Sequence, residues 1–283
     1  MLNIKSNEKV AVVIVLYNPN TNEIDNVRRI AQDNVGVVVD NSMKPFMVSD
    51  TIGKMSYICN MANLGIAEAQ NIALREILKD NYAYVVFLDQ DSRVAVDYPL
   101  QIAKEFSRID NGKLAVLGPQ VVNSVTGEQY TSAFHKYETS DNGYSLRKHI
   151  ISSGSCISIN ALKNVGLMCS ELFIDYVDFE WCWRAGSKGY LCCVTSNLQI
   201  LHHVGQRELS FGRYKVIISA PKRYFYQYRN YLWLIRKKYV PLQWKCATGI
   251  KFFLRLLYFP IFVRGGLSCW IHMTNGIKAG FKK

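Results

Sequence analysis

Along the first ninety positions, apolar residues alternate between short unbroken runs and stretches with helical spacing. Residues 10–17 (VAVVIVLY) form a β-branched run of the kind a strand buried on both faces requires. The turn residues Asn18-Pro19-Asn20 follow, and then Ile24, Val27, Ile30 and Ala31 recur at the spacing of one helix face. Residues 35–39 predict a second buried strand that ends in Asp40-Asn41-Ser42. A β-α-β unit of this kind calls for a parallel sheet. The cycle then repeats. Residues 57–59 are strand-like, Asn63-Leu64-Gly65 opens a helix carrying Ile66, Ala69, Ala73, Leu74 and Ile77 on one face, and residues 84–88 (YVVFL) predict a strand ending in Asp89-Gln90-Asp91.

After Leu100 the pattern becomes mixed. Short strands are expected at 114–117, 120–123 and 156–159, a helix over 178–188, and strands at 190–195 and 199–202. From Ala220 onward the spacing is helical, with Tyr224, Phe225, Tyr228, Tyr231, Leu232 and Ile235 in one stripe. Residues 250–263 are strongly apolar but carry Lys251, Arg255 and Pro260. A bilayer span needs about 20 apolar residues, so an interfacial or packed helix is expected here. The organisation predicted is an α/β catalytic domain over 1–219 and a helical tail over 220–283.

Composition sharpens that division. The chain has 283 residues, 49% of them apolar, which is ample for a core and excludes general disorder. Its net charge of +12 is uneven: residues 207–283 hold 16 Lys/Arg against the single acid Glu208. Such a tail suits an anionic lipid surface or nucleic acid. The eight cysteines contain no CxxC pair, and the N-terminal MLNIKSNEKV lacks an apolar signal core, so a cytoplasmic setting with reduced thiols is expected.

Ligand sites in parallel sheets lie beyond the carboxyl ends of the strands, where Asp40, Asp89 and Asp91 fall. In an extended chain the carboxylates of Asp89 and Asp91 would face one side and, being hard oxygen donors, suit Mg²⁺ or Mn²⁺; the alternative is a plain turn after a strand. Asp40 can accept a hydrogen bond from a ribose or base, or close an Asx turn with Ser42. The segment 171–181 sets Glu171, Asp175, Asp178 and Glu180 among Phe, Tyr and Trp, where desolvation would raise a carboxyl pKa toward that of a general base. Glu180 also has an i,i+4 partner in Arg184. His202, after the last strand, is either structural or a metal or phosphate ligand. No GxGxxG follows the first strand, which argues against a dinucleotide site.

The ordered blocks VAVVIVLYN, VVVDNS, NLGIAEAQNIAL, VVFLDQDS, ISSGSCISI, FIDYVDFEWCWRAGSKGY and LHHVG, over residues 10–240, resemble the inverting family 2 glycosyltransferases of GT-A fold. Among these the chain is most similar to bacterial rhamnosyltransferases of O-antigen and surface-polysaccharide assembly. The resemblance implies a mostly parallel nucleotide-binding sheet with a mixed acceptor-side half. It implies a donor site around Asp40, with Tyr17, Asn18, Asn63, Gly65, Asp89 and Trp181 as further contacts. It places the metal on Asp91 with Asp89 and His202, and the catalytic acids at Asp178, Glu180 and Asp175. The family pattern has two adjacent acids before the helix, where this chain has Val177-Asp178, so Asp175 becomes a second candidate for the base. The implied partners are dTDP-L-rhamnose, a polyprenyl-linked saccharide acceptor and a membrane surface, with no nucleic acid. A nucleotidyltransferase on the same fold, and a basic membrane or nucleic-acid binding protein, are the competing readings.

Overall fold

The structure is a computed structural model that describes residues 9–123, 143–202, 207–211 and 214–282. Its first half follows the apolar runs: β1 (Val10–Leu16), α1 (Thr21–Asp33), β2 (Gly36–Asp40), β3 (Thr51–Ile52), β4 (Met55–Cys59), α2 (Gly65–Ile77) and β5 (Tyr84–Asp89). Asn20 caps α1 through a reciprocal capping box with Glu23. There follow α3 (Tyr98–Ile109), β6 (Leu114–Asn123), β7 (Tyr144–Arg147), β8 (Cys156–Ser158), α4 (Ile159–Val165), α5 (Val177–Ser187), β9 (Leu191–His202), the antiparallel hairpin β10 (Arg207–Phe211) and β11 (Tyr214–Ile218), and three helices, α6 (Pro221–Leu234), α7 (Leu242–Phe262) and α8 (Gly266–Phe281).

Nine strands form one sheet in the order β3-β4-β2-β1-β5-β8-β6-β9-β7. β4, β2, β1 and β5 run parallel, whereas β8 is antiparallel to both β5 and β6, so a parallel half meets a mixed half at β5. Alternate residues of β1 feed the two sides of the sheet. Ala11 and Val13 join the core under α2, α4 and α5, while Val12, Ile14 and Leu16 join that under α1 and α3. Burial on both faces is the reason these strands read as unbroken apolar runs.

Three predicted strand boundaries are corrected. The strands expected at 114–117 and 120–123 are one strand, as are those at 190–195 and 199–202. Gly118 pairs with Val194 and Gln120 with Gln199, so the apparent turn at Gly118-Pro119 is a register irregularity opposite the extra residues of β9. The strand expected to reach Ile159 stops at Ser158, whose side chain caps α4.

The helical tail is not a separate body. Leu234 and Val240, with Trp233, Tyr239 and Trp244 packed against them, belong to the core beneath α2 and α5. A third cluster joins Tyr224 and Tyr228 of α6 to Phe252 and Phe259 of α7 and Cys269 and Met273 of α8. The expected boundary at 219/220 therefore runs through a packed interface. On the outer side of α7, Ile250, Phe253, Leu254, Leu257 and Ile261 are exposed at helical spacing, and Leu267, Trp270 and Ile271 are exposed on α8. Among the described residues, no helix is long and apolar enough to cross a membrane.

Candidate active site

The parallel strands deliver three turns to one edge of the sheet. Leu16 pairs with Asp40 and Val15 with Asp89, which sets the ends of β2 and β5 on either side of the end of β1. Side chains then lace the turns together. The Tyr17 N–H donates to Gln90 Oε1 (2.8 Å) and the Asn18 N–H to Ser42 Oγ (2.7 Å). Asn18 takes a left-handed φ of 46°, a conformation Asn tolerates because its short amide bonds locally. Tyr17 remains half exposed, as a stacking surface would.

Asp40 itself is fully buried. It accepts from the Ser42 N–H (2.9 Å) and from the Tyr57 hydroxyl (2.6 Å), so the Asx turn is present and both oxygens are engaged within the protein. Burial, then the Asp40 carboxylate, push the Tyr57 hydroxyl well above its usual pKa. Its carboxylate thus shapes the turn that carries Tyr17 and Asn18, the Asx-turn arrangement its spacing offered. Asn63 accepts from the Gly65 N–H (3.0 Å), and buried Asn41 donates to Gly65 O (3.0 Å), fixing the entry of α2. Gly65 has φ 81° and packs against Phe173, leaving no room for a Cβ.

The Asp89-Gln90-Asp91 motif is a turn, not an extended strand end. The Ser92 N–H donates to Asp89 O (3.0 Å) and Ser92 Oγ accepts from the Asp89 N–H (2.8 Å). The same-side argument from strand alternation therefore does not hold past Asp89, because Gln90 and Asp91 have left the pleat. Asn26 of α1 holds this turn by donating to Ser92 O (2.9 Å) and Gln90 O (3.3 Å). Asp91 is exposed and Asp89 partly buried. A bridge between Arg93 and Leu201 brings the end of β9 to this turn, and the side chain of His202 lies outside the described residues.

On the other half of the sheet, Asp178 sits in the first turn of α5. One oxygen accepts from the Ser152 N–H (3.1 Å) and the other from the Phe179 N–H (2.9 Å). Burial raises its pKa to about 6, against the pull of those peptide donors and with a smaller push from Asp175. A small cavity of about 10 Å³, the size of one water, borders Asp178, Gln70 and Ser152. The loop from Ser152 to Ser155 joins the two centres. Ser152 holds Asp178 at one end, while Ser153 Oγ is 3.0 Å from the Ser92 Oγ that binds the Asp89 N–H. Gly154, at φ 73°, is wedged between Pro119 and Tyr98, whose hydroxyl donates to Gly154 O (2.7 Å). The block ISSGSCISI marked this loop, but only its contacts disclose the role of Ser152 and Ser153.

The remaining acids are engaged elsewhere. Glu180 is buried and pairs with Arg184 (2.9 Å), and it accepts from the Tyr239 hydroxyl (2.7 Å). This is the i,i+4 pairing its spacing offered, and it locks α5 to the chain after α6. Asp175 pairs with Arg223 of α6 at 2.9 Å. Trp181 is a correction: its ring is 1% exposed and its indole N–H donates to Gly166 O (2.8 Å), so it belongs to the core beneath Asp178 and does not reach a donor. Phe173, Asp175 and Tyr176, just before α5, all have φ between 64° and 67°. Tyr176 (ψ 10°) is in the left-handed region, whereas Phe173 (ψ −64°) centres a γ-turn closed by the Ile174 N–H on Leu172 O (2.7 Å); each such residue costs about 1–3 kcal/mol.

No protein-family model matches the chain. It is 31% identical over 252 residues to the dTDP-rhamnosyl transferase RfbF of Shigella flexneri, covering 83% of each protein. Its fold is similar to that of the mannosyltransferase PcManGT from Pyrobaculum calidifontis, solved with GDP-Man and Mn2+, at a TM-score of 0.53 and 14% identity over 97% of this chain and 75% of that one. It is similar also to residues 1–349 of S. aureus TarS, solved with UDP-GlcNAc, at a TM-score of 0.55 and 17% identity over 96% of this chain and 81% of that one.

Proposed function

The chain belongs to the dTDP-rhamnosyl transferase family, with the GT-A glycosyltransferase fold, and we propose that it transfers L-rhamnose from dTDP-L-rhamnose by a single inverting displacement. The observation that carries this reading is the tethering of two unlike carboxylate centres to one short loop: Asp178 at Ser152 and the Asp89 turn at Ser153. In the proposed reaction an acceptor hydroxyl attacks the anomeric carbon as the bond to the diphosphate breaks. Asp178 takes the hydroxyl proton, and dTDP departs. With its carboxyl raised to about 6, Asp178 is ionised at neutral pH yet far more basic than an exposed aspartate. A single displacement needs only this one activating acid and would invert the anomeric configuration.

The donor set at the Asp89 turn fits a divalent cation. Asp89 and Asp91 supply hard carboxylate oxygens, which Mg²⁺ and Mn²⁺ prefer, with water and diphosphate oxygens to complete the shell. Asp91 and Asp89 would hold the ion, and the Arg93–Leu201 bridge supports His202 as a third ligand. When bound, the ion would neutralise charge on the departing diphosphate. Tyr17, Asn18, Asn63 and Gly65 would line the donor side.

The acceptor we propose is a saccharide on a polyprenyl diphosphate, met at the inner face of the cytoplasmic membrane in surface-polysaccharide synthesis. The exposed apolar residues of α7 and α8, within a segment of 16 basic residues and one acid, support peripheral attachment there. Transfer assays with dTDP-L-rhamnose, UDP- and GDP-sugars and a lipid-linked acceptor test the reading. Rhamnose transfer should fall at least about 10²-fold in Asp178→Asn with donor binding kept, and should vanish in Asp91→Ala and under EDTA. Full turnover after EDTA would refute the metal; transfer of a different sugar alone would refute the donor.

A further inference from the structure

The bend from Phe173 to Tyr176, with positive φ at Phe173, Asp175 and Tyr176, leads straight into Val177 and Asp178, so its path sets where the Asp178 carboxylate lies. Strained backbone persists only where the surroundings over-determine it, and it concentrates at functional sites. Here the constraint comes from α6. Asn230, with no exposed surface, donates its amide to Leu172 O (2.8 Å), Ile174 O (2.8 Å) and Asp175 O (3.2 Å). Its two protons serve three carbonyls, so the longest contact is a shared one. Its Oδ1 accepts from Arg229 Nε (3.0 Å) and Nη2 (2.9 Å), and that Nη2 also donates to Glu171 O (2.8 Å) and Leu172 O (3.0 Å). Two turns earlier, Arg223 grips Asp175, and Tyr226 stacks on Phe173 at 4.6 Å. The carbonyls of Glu171, Leu172, Ile174 and Asp175 are thus met from α6, while Phe173 O accepts from the Ala67 N–H of α2 (3.4 Å).

We infer that Asn230 and Arg223 are positioning residues for the transfer reaction: they hold 172–176 in its strained, positive-φ bend and so aim Asp178 at the acceptor hydroxyl. The inference rests on the reading of Asp178 as the base. The charged and titratable groups that face Asp178 are Asp175 from its own segment, Arg223 from α6 and Cys182 from α5. Arg223 offsets the Asp175 charge. Without it, ionising Asp178 beside an unpaired carboxylate becomes harder, and the acidic limb of the rate profile should move to higher pH.

The test compares Asn230→Ala and Arg223→Gln, each alone and combined with Asp178→Asn. Asn230→Ala should lower kcat at least about tenfold with the donor KM within about twofold, since a small misplacement of a reacting group is costly in rate. Arg223→Gln should lower kcat and shift the acidic limb upward. In the Asp178→Asn background neither should lower the residual turnover further, because groups acting through one residue are not additive. If either variant leaves kcat and the limb in place, or lowers kcat equally in both backgrounds, the positioning role is overturned while the base stands. If Asp178→Asn alone keeps near-normal turnover, the base reading has failed, and the inference with it. Should Asn230→Ala not fold, Arg223→Gln carries the test alone, its side chain being 50% exposed.

Discussion

Asp178 is held between opposed influences, and the balance has a thermodynamic signature. Its folded pKa of about 6 lies above the ordinary aspartate value of 3.8. Between those values the native state keeps a proton that the unfolded chain has lost, so stability falls as pH rises through the window. The loss is complete above about 6 and amounts to roughly 3 kcal/mol at most. Asparagine cannot ionise, although its single oxygen can serve only one of the Ser152 and Phe179 N–H groups and its NH2 meets the other. Relative to the wild type at the same pH, Asp178→Asn should therefore melt several degrees higher at pH 7.5 than it does at pH 4. Equal shifts at both values would break the link between burial and the raised pKa. Glu180→Gln is the contrast. It leaves Arg184 without its buried partner, and breaking such a pair costs about 3–5 kcal/mol. Its melting temperature should drop in the same experiment.

Helix α8 lies against α6 through small residues. A Cβ at Gly276 would strike the carbonyl of Phe225, and one at Gly280 would meet the Leu232 side chain. The four-residue spacing puts both on one face. Gly276→Val should destabilise by about 1–3 kcal/mol, because a backbone carbonyl cannot swing aside. Gly186→Ala in α5, where a Cβ meets nothing, should instead gain about 0.5–1 kcal/mol in denaturant titration. Legibility also divides by element. β1, β2 and β5 could be read because their apolar runs are unbroken and end in Asp40 and Asp89. β6 and β9 read as fragments, since Gly118-Pro119 looks like a turn until the partner strand's extra residues are seen opposite it. Asp178 was visible as an acid among aromatics, and Glu180 as half of a helical ion pair. Trp181 lies in the core, and an aromatic beside an acid reads the same in sequence whether it faces in or out. Asn230 and Arg223 had no signal. Asn230 acts on backbone carbonyls more than fifty residues away, which carry no letter in a sequence, and Arg223 on an acid 48 residues away that its spacing does not announce.

At the scale of the whole molecule, the outer face of α7 and α8 is where a lipid surface would meet the chain. Removing everything from Pro241 is a poor test of this, because Trp244 packs on Trp183 and Tyr176 in the catalytic core. Phe253→Glu with Leu257→Glu, both exposed, leaves that packing alone. The double variant should no longer sediment with anionic vesicles, yet should keep its stabilisation by dTDP. The wild type should be released only partly by high salt, which screens the charge and spares the apolar contact. Wild type that stays in solution with vesicles at low salt would end the attachment idea. The reach of α6 back to Leu172 and Asp175 also decides how this protein could be recombined with its relatives. A crossover at 219/220, the natural cut by sequence, would pair one parent's strained segment with another parent's Asn230. A crossover near residue 110 would likewise part Asn71 from Met168 and Ser92 from Ser153. The acceptor half would have to travel unbroken from the Ser152 loop to Trp244, inherited as a single block.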